Sequence, residues 1–405
     1  MTVTRLAPPG RMLALDALRG VAALIVLLHH VSMTVPAISA AYESSAGVAL
    51  WSVGWWTTLS PLKIFFAGPE FVLVFFVLSG FVLVRSPLAA SAFDWRAYFP
   101  RRIIRLAVPV LVSIAFAAAW IALVPRTGGV AGGAWLARQD DPNLSLGNLL
   151  GEASIIGETG RPDVNPPLWS LAWEMWFSLL LPAAVLLAAA TRRFPALWAA
   201  LLVLISAAGY VAHIEPLMYL PAFGLGSLLA ANFDSLRARG DILAAHRWGT
   251  TTWVGLTALG PLLLIAHWLV RPFVAAPWSD LTLALRVPGA VLIVAALAFW
   301  PSLQRPLSVR PLVWLGSISF SLYLVHFPMV VAFGNVFGPT RWWLAALVSV
   351  PLSFLVAQLM FRWVELPSQR LAAWAGRAAA HPSLPARLTR AQPQRTPANS
   401  TEVLD

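Results

Sequence analysis

LALDALRGVAALIVLLHHVS, Leu13 to Ser32, decides how the chain is read. About 20 apolar residues cross the hydrocarbon core of a bilayer, and this run is long enough, yet it carries Asp16, Arg19, His29 and His30. An ionisable side chain at the centre of a membrane helix costs roughly 2.5 to 3.5 kcal/mol on insertion scales, so residues kept there point to ion, proton or substrate chemistry. Arg19 and His30 are eleven positions apart. At about 100° per residue they return to within roughly 20° of one face, about 16 Å apart along the axis. One helix thus presents a cation near one membrane surface and a proton-transfer group about half a bilayer away, with His29 turned aside by about 100°. Arg19 alone also reads as a snorkelling topology signal. Two adjacent histidines on a charged helix point to function.

Composition sets the class. With 59% hydrophobic and 11% charged residues over 405 positions, the chain reads as an all-α polytopic membrane protein, because a soluble core cannot absorb that much apolar surface. The first run lacks a small-residue cleavage site and is expected to remain as an uncleaved span. A net charge of +11 would suggest nucleic acid in a soluble protein. Here the arginines sit in short loops beside apolar runs, so topology accounts for them and no nucleic-acid partner is expected. The absence of cysteine excludes disulfides, thiolate metal sites and cysteine nucleophiles.

Ten spans are predicted, near 13 to 32, 63 to 84, 103 to 124, 168 to 190, 195 to 212, 216 to 232, 252 to 270, 286 to 302, 312 to 333 and 342 to 364. With both termini cytoplasmic, roughly 20 cations fall inside and Lys63, Arg126, Arg138, Arg161, Arg271, Arg286 and Arg341 fall outside, as the positive-inside rule requires. The bilayer, at a bacterial inner membrane, is the expected setting. Residues 1–366 form the membrane domain, and 367–405, rich in Arg, Pro, Ala and Thr, read as a disordered cytoplasmic tail. The longest outer loop, about 125 to 166, is more acidic than basic and can lie over the outer mouth.

Polar residues recur inside the predicted spans. Ser79 and Gly80 read as packing positions, and Glu70 is equally an interfacial or a functional residue. Arg102 and Arg105, at i and i+3, share a helical face. Beside Arg19 they could converge on one phosphate-like anion, which suits guanidinium geometry; positive-inside placement explains them as well. Glu174 stands about two turns into the fourth span among Trp169, Trp173 and Trp176, an interfacial belt by composition. Its carboxylate needs a partner, and His30 or His29 at similar depth is the candidate. Ser319, Ser321, Tyr323 and His326 lie towards the outer half of the ninth span, and Glu365 at the inner end of the tenth. No element carries zinc-ligand spacing, so no metal is expected.

The blocks LDALRGVAALIVLLHH, FFVLSGFVL (75 to 83), RRIIRLAVP (101 to 109), PPLWSLAWE (166 to 174) and SFSLYLVHFP (319 to 328), in this order, resemble the integral-membrane acyltransferase-3 family of bacterial O-acyltransferases. The resemblance covers about residues 11 to 370. It implies a membrane enzyme with Arg19 and His30 as the paired first-helix residues; joined to the reading of the residues, it assigns His30 and Glu174 as catalytic and Arg19, Arg102 and Arg105 as donor-binding. Trp169, Tyr323 and His326 are then assigned to substrate binding. Two features differ among relatives: many have an acidic residue where Leu73 stands, although a Glu at the position of Glu70 also fits the pattern, and some carry an extra C-terminal hydrolase-like domain that is not expected here, so the acceptor is expected to meet the membrane core directly. The donor implied is acyl-CoA, most simply acetyl-CoA, used as a substrate with no resident cofactor, and the acceptor is a carbohydrate or other hydroxyl compound. His30, oriented by Glu174, would act as general base on the acceptor hydroxyl, with an acyl-histidine relay as a variant. The competing reading is a transporter that uses the same groups as anion site and proton relay.

Overall fold

The computed structural model describes residues 12–124, 126, 133–156, 162–275 and 278–380. Arg161 and the tail from 381 onward lie outside them. Among the described residues every regular element is helical. In chain order these are α1 (Leu13–Met33), α2 (Pro36–Glu43), α3 (Gly68–Ala89), α4 (Trp95–Leu123), α5 (Ala134–Ala137), α6 (Leu146–Ser154), α7 (Trp169–Leu179), α8 (Leu181–Ala190), α9 (Pro195–Ala212), α10 (Glu215–Ala231), α11 (Phe233–Ala245), α12 (Gly249–Leu264), α13 (Ala266–Val270), α14 (Trp278–Leu281), α15 (Arg286–Phe299), α16 (Pro301–Leu307), α17 (Arg310–Phe337), α18 (Trp342–Met360) and α19 (Leu366–Ala380).

Local signals set the ends. Pro69 occupies the first turn of α3 and Glu70 faces its N-terminal dipole. The Asp94 carboxylate caps α4 by accepting from Ala97 N at 3.0 Å. Gly338, with φ of 69°, stops α17.

Among the described residues, seven helices are long and apolar enough to cross a membrane, or nine if each of two bent pairs is one span. The pairs are Pro166–Leu179 with Leu181–Arg193, bent by 66°, and Glu215–Ala231 with Phe233–Ala245, bent by 74°. The segment that the sequence reading adds as a further span, 252 to 270, is broken at Ile265. Its main helix α12 has 16 residues, about 24 Å at 1.5 Å per residue, short of a ~30 Å core. A second correction concerns the tail: Leu366–Ala380 is helix α19 and packs on α4, close enough that a Cβ on Gly376 would stand 2.9 Å from Ala97 O.

One contact positions the functional residues. α1 and α17 run side by side and meet backbone to backbone where a Cβ on Gly20 would lie 2.5 Å from Gly316 N and one on Gly316 2.2 Å from Asp16 O. Ten residues beyond each glycine stand His30 and His326, whose rings meet. Equal offsets in the same direction mean that the two helices are parallel and in register. A similar close approach joins α3 to α10 at Gly80 and Gly226, where the facing backbone is Phe223 and Val77. There the partner numbers run in opposite directions, so that pair is antiparallel. Small residues at crossings are how helices pack tightly where apolar burial offers no drive.

Replacing Gly316 by valine is therefore expected to force α1 from α17, with a loss of about 1 to 3 kcal/mol typical of overpacking. Thermal unfolding of the detergent-solubilised protein, followed by tryptophan fluorescence, checks this. An unchanged midpoint would contradict the backbone contact.

Candidate active site

A cavity of about 1080 Å³ surrounds the C-terminal end of α1. His29, His30, Trp169, Tyr219, Arg286 and Tyr323 contribute to its walls. Three of the residues singled out in the sequence, His30, Trp169 and Tyr323, thus share one cavity. The phenol of Tyr323 donates to Pro167 O at 2.9 Å, and its oxygen lies 2.7 Å from Ser170 Oγ.

The protonation pattern of His30 follows from its neighbours. His326 is fully buried, and its Nδ1 lies 3.0 Å from Leu322 O. A carbonyl can only accept, so His326 carries its proton on Nδ1 and offers Nε2 as a lone pair. That Nε2 is 3.0 Å from His30 Nδ1, which also lies 3.0 Å from Val26 O. Two acceptors demand a proton on His30 Nδ1. The remaining nitrogen, Nε2, then bears a lone pair on the cavity side, as a general base must. Trp135 of α5 and Phe327 enclose the ring, with centroids 6.2 and 5.1 Å away.

Two expected assignments are corrected. Glu174 does not reach His30; its carboxylate accepts from Arg102 Nη2, while Arg102 Nε donates to Ser178 Oγ at 3.0 Å. The phase of α7 gives the reason. Trp169, Ala172, Trp173 and Trp176 form the stripe facing the cavity, and position 174 falls off that stripe towards α4. His326, assigned to substrate binding, lies behind His30 and is absent from the cavity wall; it holds the His30 Nδ1–H.

The arginines form a second cluster. Arg105 lies within electrostatic reach of Arg102, Arg19, Glu365 and Glu174, and Arg19 is 4.0 Å from Asp16. The Glu365 carboxylate also accepts from Ser321 Oγ at 2.8 Å. Three guanidiniums therefore converge, together with three carboxylates. None of the three arginines lines the histidine cavity, and α7, with Trp173 and Trp176 on one face and Glu174 and Ser178 on another, stands between the two.

Two features escaped the sequence reading. Glu70 is fully buried, paired with Arg286 at 3.0 Å and accepting from Trp268 Nε1 at 2.9 Å. Over the cavity, the loop beyond α4 is pinned by Arg126, whose guanidinium donates to Val164 O at 3.1 Å and Asp163 O at 3.4 Å. Burial pulls Arg126 down to about 10 despite nearby Glu152, Asp140 and Asp163. Glu152 accepts from Val164 N at 2.7 Å and Asn165 N at 3.3 Å, and burial raises its pKa above the usual carboxylate value. Arg138, on the same loop, is ion-paired to Glu43 at the end of α2. Both outlying pairings join residues far apart in sequence, and no periodicity announces them.

The family model described as an acyltransferase domain matches residues 12–362. A protein of Bacillus subtilis provisionally named a peptidoglycan O-acetyltransferase, YrhL, is 27% identical over 73% of this chain and 49% of its own length. The peptidoglycan O-acetyltransferase OatA of Listeria monocytogenes is 25% identical over 54% of this chain and 37% of its own. The chain thus spans half or less of the length of these two relatives. Acyltransferase MdmB of Streptomyces mycarofaciens is 28% identical over 89% of this chain and 92% of its own. No solved structure matches.

If Glu174 serves Arg102, a double-mutant cycle between these two residues should return a coupling of about 0.5 to 3 kcal/mol in unfolding free energy. The same cycle between Glu174 and His30 should return a value within about 0.5 kcal/mol of zero. Coupling only in the second cycle would reinstate the carboxylate–imidazole pair.

Proposed function

The chain belongs to the acyltransferase-3 family, and from that premise we propose that it moves an acyl group, acetyl in the simplest case, from acyl-CoA to a hydroxyl of an extracytoplasmic acceptor. The observation that carries the reading is His30. Its Nδ1 proton is held by Val26 O and His326 Nε2, which leaves Nε2 as a base in a cavity large enough for a sugar ring.

In this reading the acceptor hydroxyl gives its proton to His30 Nε2 as its oxygen attacks the thioester carbonyl. The carbon–sulfur bond breaks, and the imidazolium returns the proton to the departing thiolate, yielding ester and free CoA. During the step His30 is positive, and the lone pair of His326 together with Val26 O stabilises that charge through the Nδ1–H. Positioned bases of this kind contribute typically about 10² to 10⁴ in rate.

The donor is proposed to enter from the cytosolic side, with its phosphates on Arg19, Arg102 and Arg105, exchanging for the carboxylates that now balance them. Its acyl arm must then pass α7 to reach the cavity floor of Val26, Val72, Leu73 and Ala172. A carbohydrate acceptor suits the walls, where Trp169 and Tyr219 lie 5.1 Å apart and Glu215, Asp140 and Asp141 supply acceptors for hydroxyls. Two relatives are named for peptidoglycan. Because the chain spans half or less of each, that polymer is one member of the proposed polysaccharide class and not the assignment. The setting proposed is a bacterial inner membrane.

The two sharply bent helix pairs favour the transporter as a second reading, since broken helices line many transport sites. Release of CoA by the detergent-solubilised protein, with no gradient present, separates the two. His30→Ala should abolish transfer, a loss of at least about 10²-fold, while the protein still accumulates in membranes. His326→Phe should lower kcat by about 10-fold or more with little change in KM, and Arg105→Ala should mainly raise KM for acyl-CoA. Transfer at the wild-type rate by purified His30→Ala protein would remove the proposal's basis.

A further inference from the structure

His29 has no task in the mechanism above, although it lines the same cavity as His30. Its Nδ1 lies 3.0 Å from Phe66 O, which fixes the proton there. The same oxygen accepts from Lys63 Nζ at 2.9 Å, so the ammonium stands within about 6 Å of the ring nitrogen. Lys63 is buried and boxed by the faces of Tyr42 and Trp268, 4.7 and 4.4 Å from their centroids. Burial pulls it down to about 8, and it remains charged at neutral pH. A second positive charge on His29 in that poorly solvated site would be repelled by Lys63, with only partial offset from Glu70, whose carboxylate is already paired to Arg286. His29 is thus held as a neutral ring with a lone pair on Nε2, and among the described residues no hydrogen bond reaches that nitrogen. The ring is also fixed in place, since a Cβ on Gly68 would stand 2.7 Å from it.

We infer that His29 Nε2 is a binding subsite for a hydrogen-bond donor on the acceptor, a hydroxyl or amino group on the carbon next to the one that His30 activates. The ring centroids of His29 and His30 are 5.1 Å apart, a spacing that two donors on neighbouring carbons can span with one hydrogen bond each. The inference rests on the acyl-transfer reading and narrows the acceptor to a vicinal diol or amino alcohol. A site built to accept such a bond rejects analogues that lack the donor, because its own polar atom is then left unpaired.

The test offers the purified full-length protein acetyl-CoA with either cis-cyclohexane-1,2-diol or cyclohexanol, and measures acetyl ester by mass spectrometry. The diol is expected to be preferred about 10-fold or more in kcat/KM, beyond the twofold that a second hydroxyl gives by number. His29→Asn keeps an amide N–H for Phe66 O but has no atom at the Nε2 position, and should reduce the preference to about twofold; His29→Gln, whose amide reaches that position, should restore part of it. A wild-type preference of twofold or less overturns the inference and leaves acyl transfer standing, whether or not the variants fold. An unchanged preference in His29→Asn also overturns it. Acylation of neither compound counts against the acyl-transfer reading itself.

Discussion

An imidazole buried away from bulk water must have its N–H answered by protein, and this requirement orders the site. Leu322 O fixes the proton of His326, His326 then has a lone pair to give, and His30 must point its own N–H at it. The outcome is an imidazole whose tautomer is decided, among the described residues, by three backbone and ring acceptors and by no carboxylate. The chain of hydrogen bonds in turn depends on helix spacing. The rings meet because α1 and α17 touch at Gly20 and Gly316, and the shared offset of ten residues carries that contact to the histidines. A neutral partner behind the base has a consequence for its strength: it stabilises the imidazolium by dipole and lone pair, without adding a negative charge that would need its own desolvation.

Much of this was legible in the sequence, and the failures have physical causes. The apolar run with Arg19 and His30 marks the membrane class and singles out the imidazole that the structure sets against His326, because an ionisable residue within a span is costly wherever it lies. Depth alone points Glu174 at a histidine, whereas helical phase points it away: positions 169, 172, 173 and 176 form one stripe and 174 lies off it. The pairing of Glu70 with Arg286 was not legible. It joins α3 to α15, and nothing along the chain specifies which helices become neighbours. The segment at 252 to 270 reads as a span by its apolarity, which does not report a break at Ile265.

The arginine cluster shows how one composition signal carries two meanings. Arginines near the ends of spans satisfy the positive-inside rule without any further role, and that reading needs no partners. Arg102 is instead half-buried and ion-paired to Glu174, while Arg105, though exposed, lies within electrostatic reach of Glu174 and Glu365. A charge partly removed from water needs a partner, and Glu174 supplies it for Arg102. A binding anion then competes with an internal carboxylate, and its net gain is the difference between the two pairings and not the full attraction of three cations.

The histidine cavity and the arginine cluster stand on opposite faces of one helix, and α7 is not an ordinary span. It gives tryptophans to the cavity and Glu174 and Ser178 to Arg102, then turns by 66° into α8 just beyond Ser178. Leu171, Met175 and Phe177 hold it in the apolar core, with Phe177 stacked on Phe223 at 4.6 Å. Its last turn adds the two polar contacts to Arg102, so one guanidinium both balances Glu174 and fixes the end of the helix just before the bend.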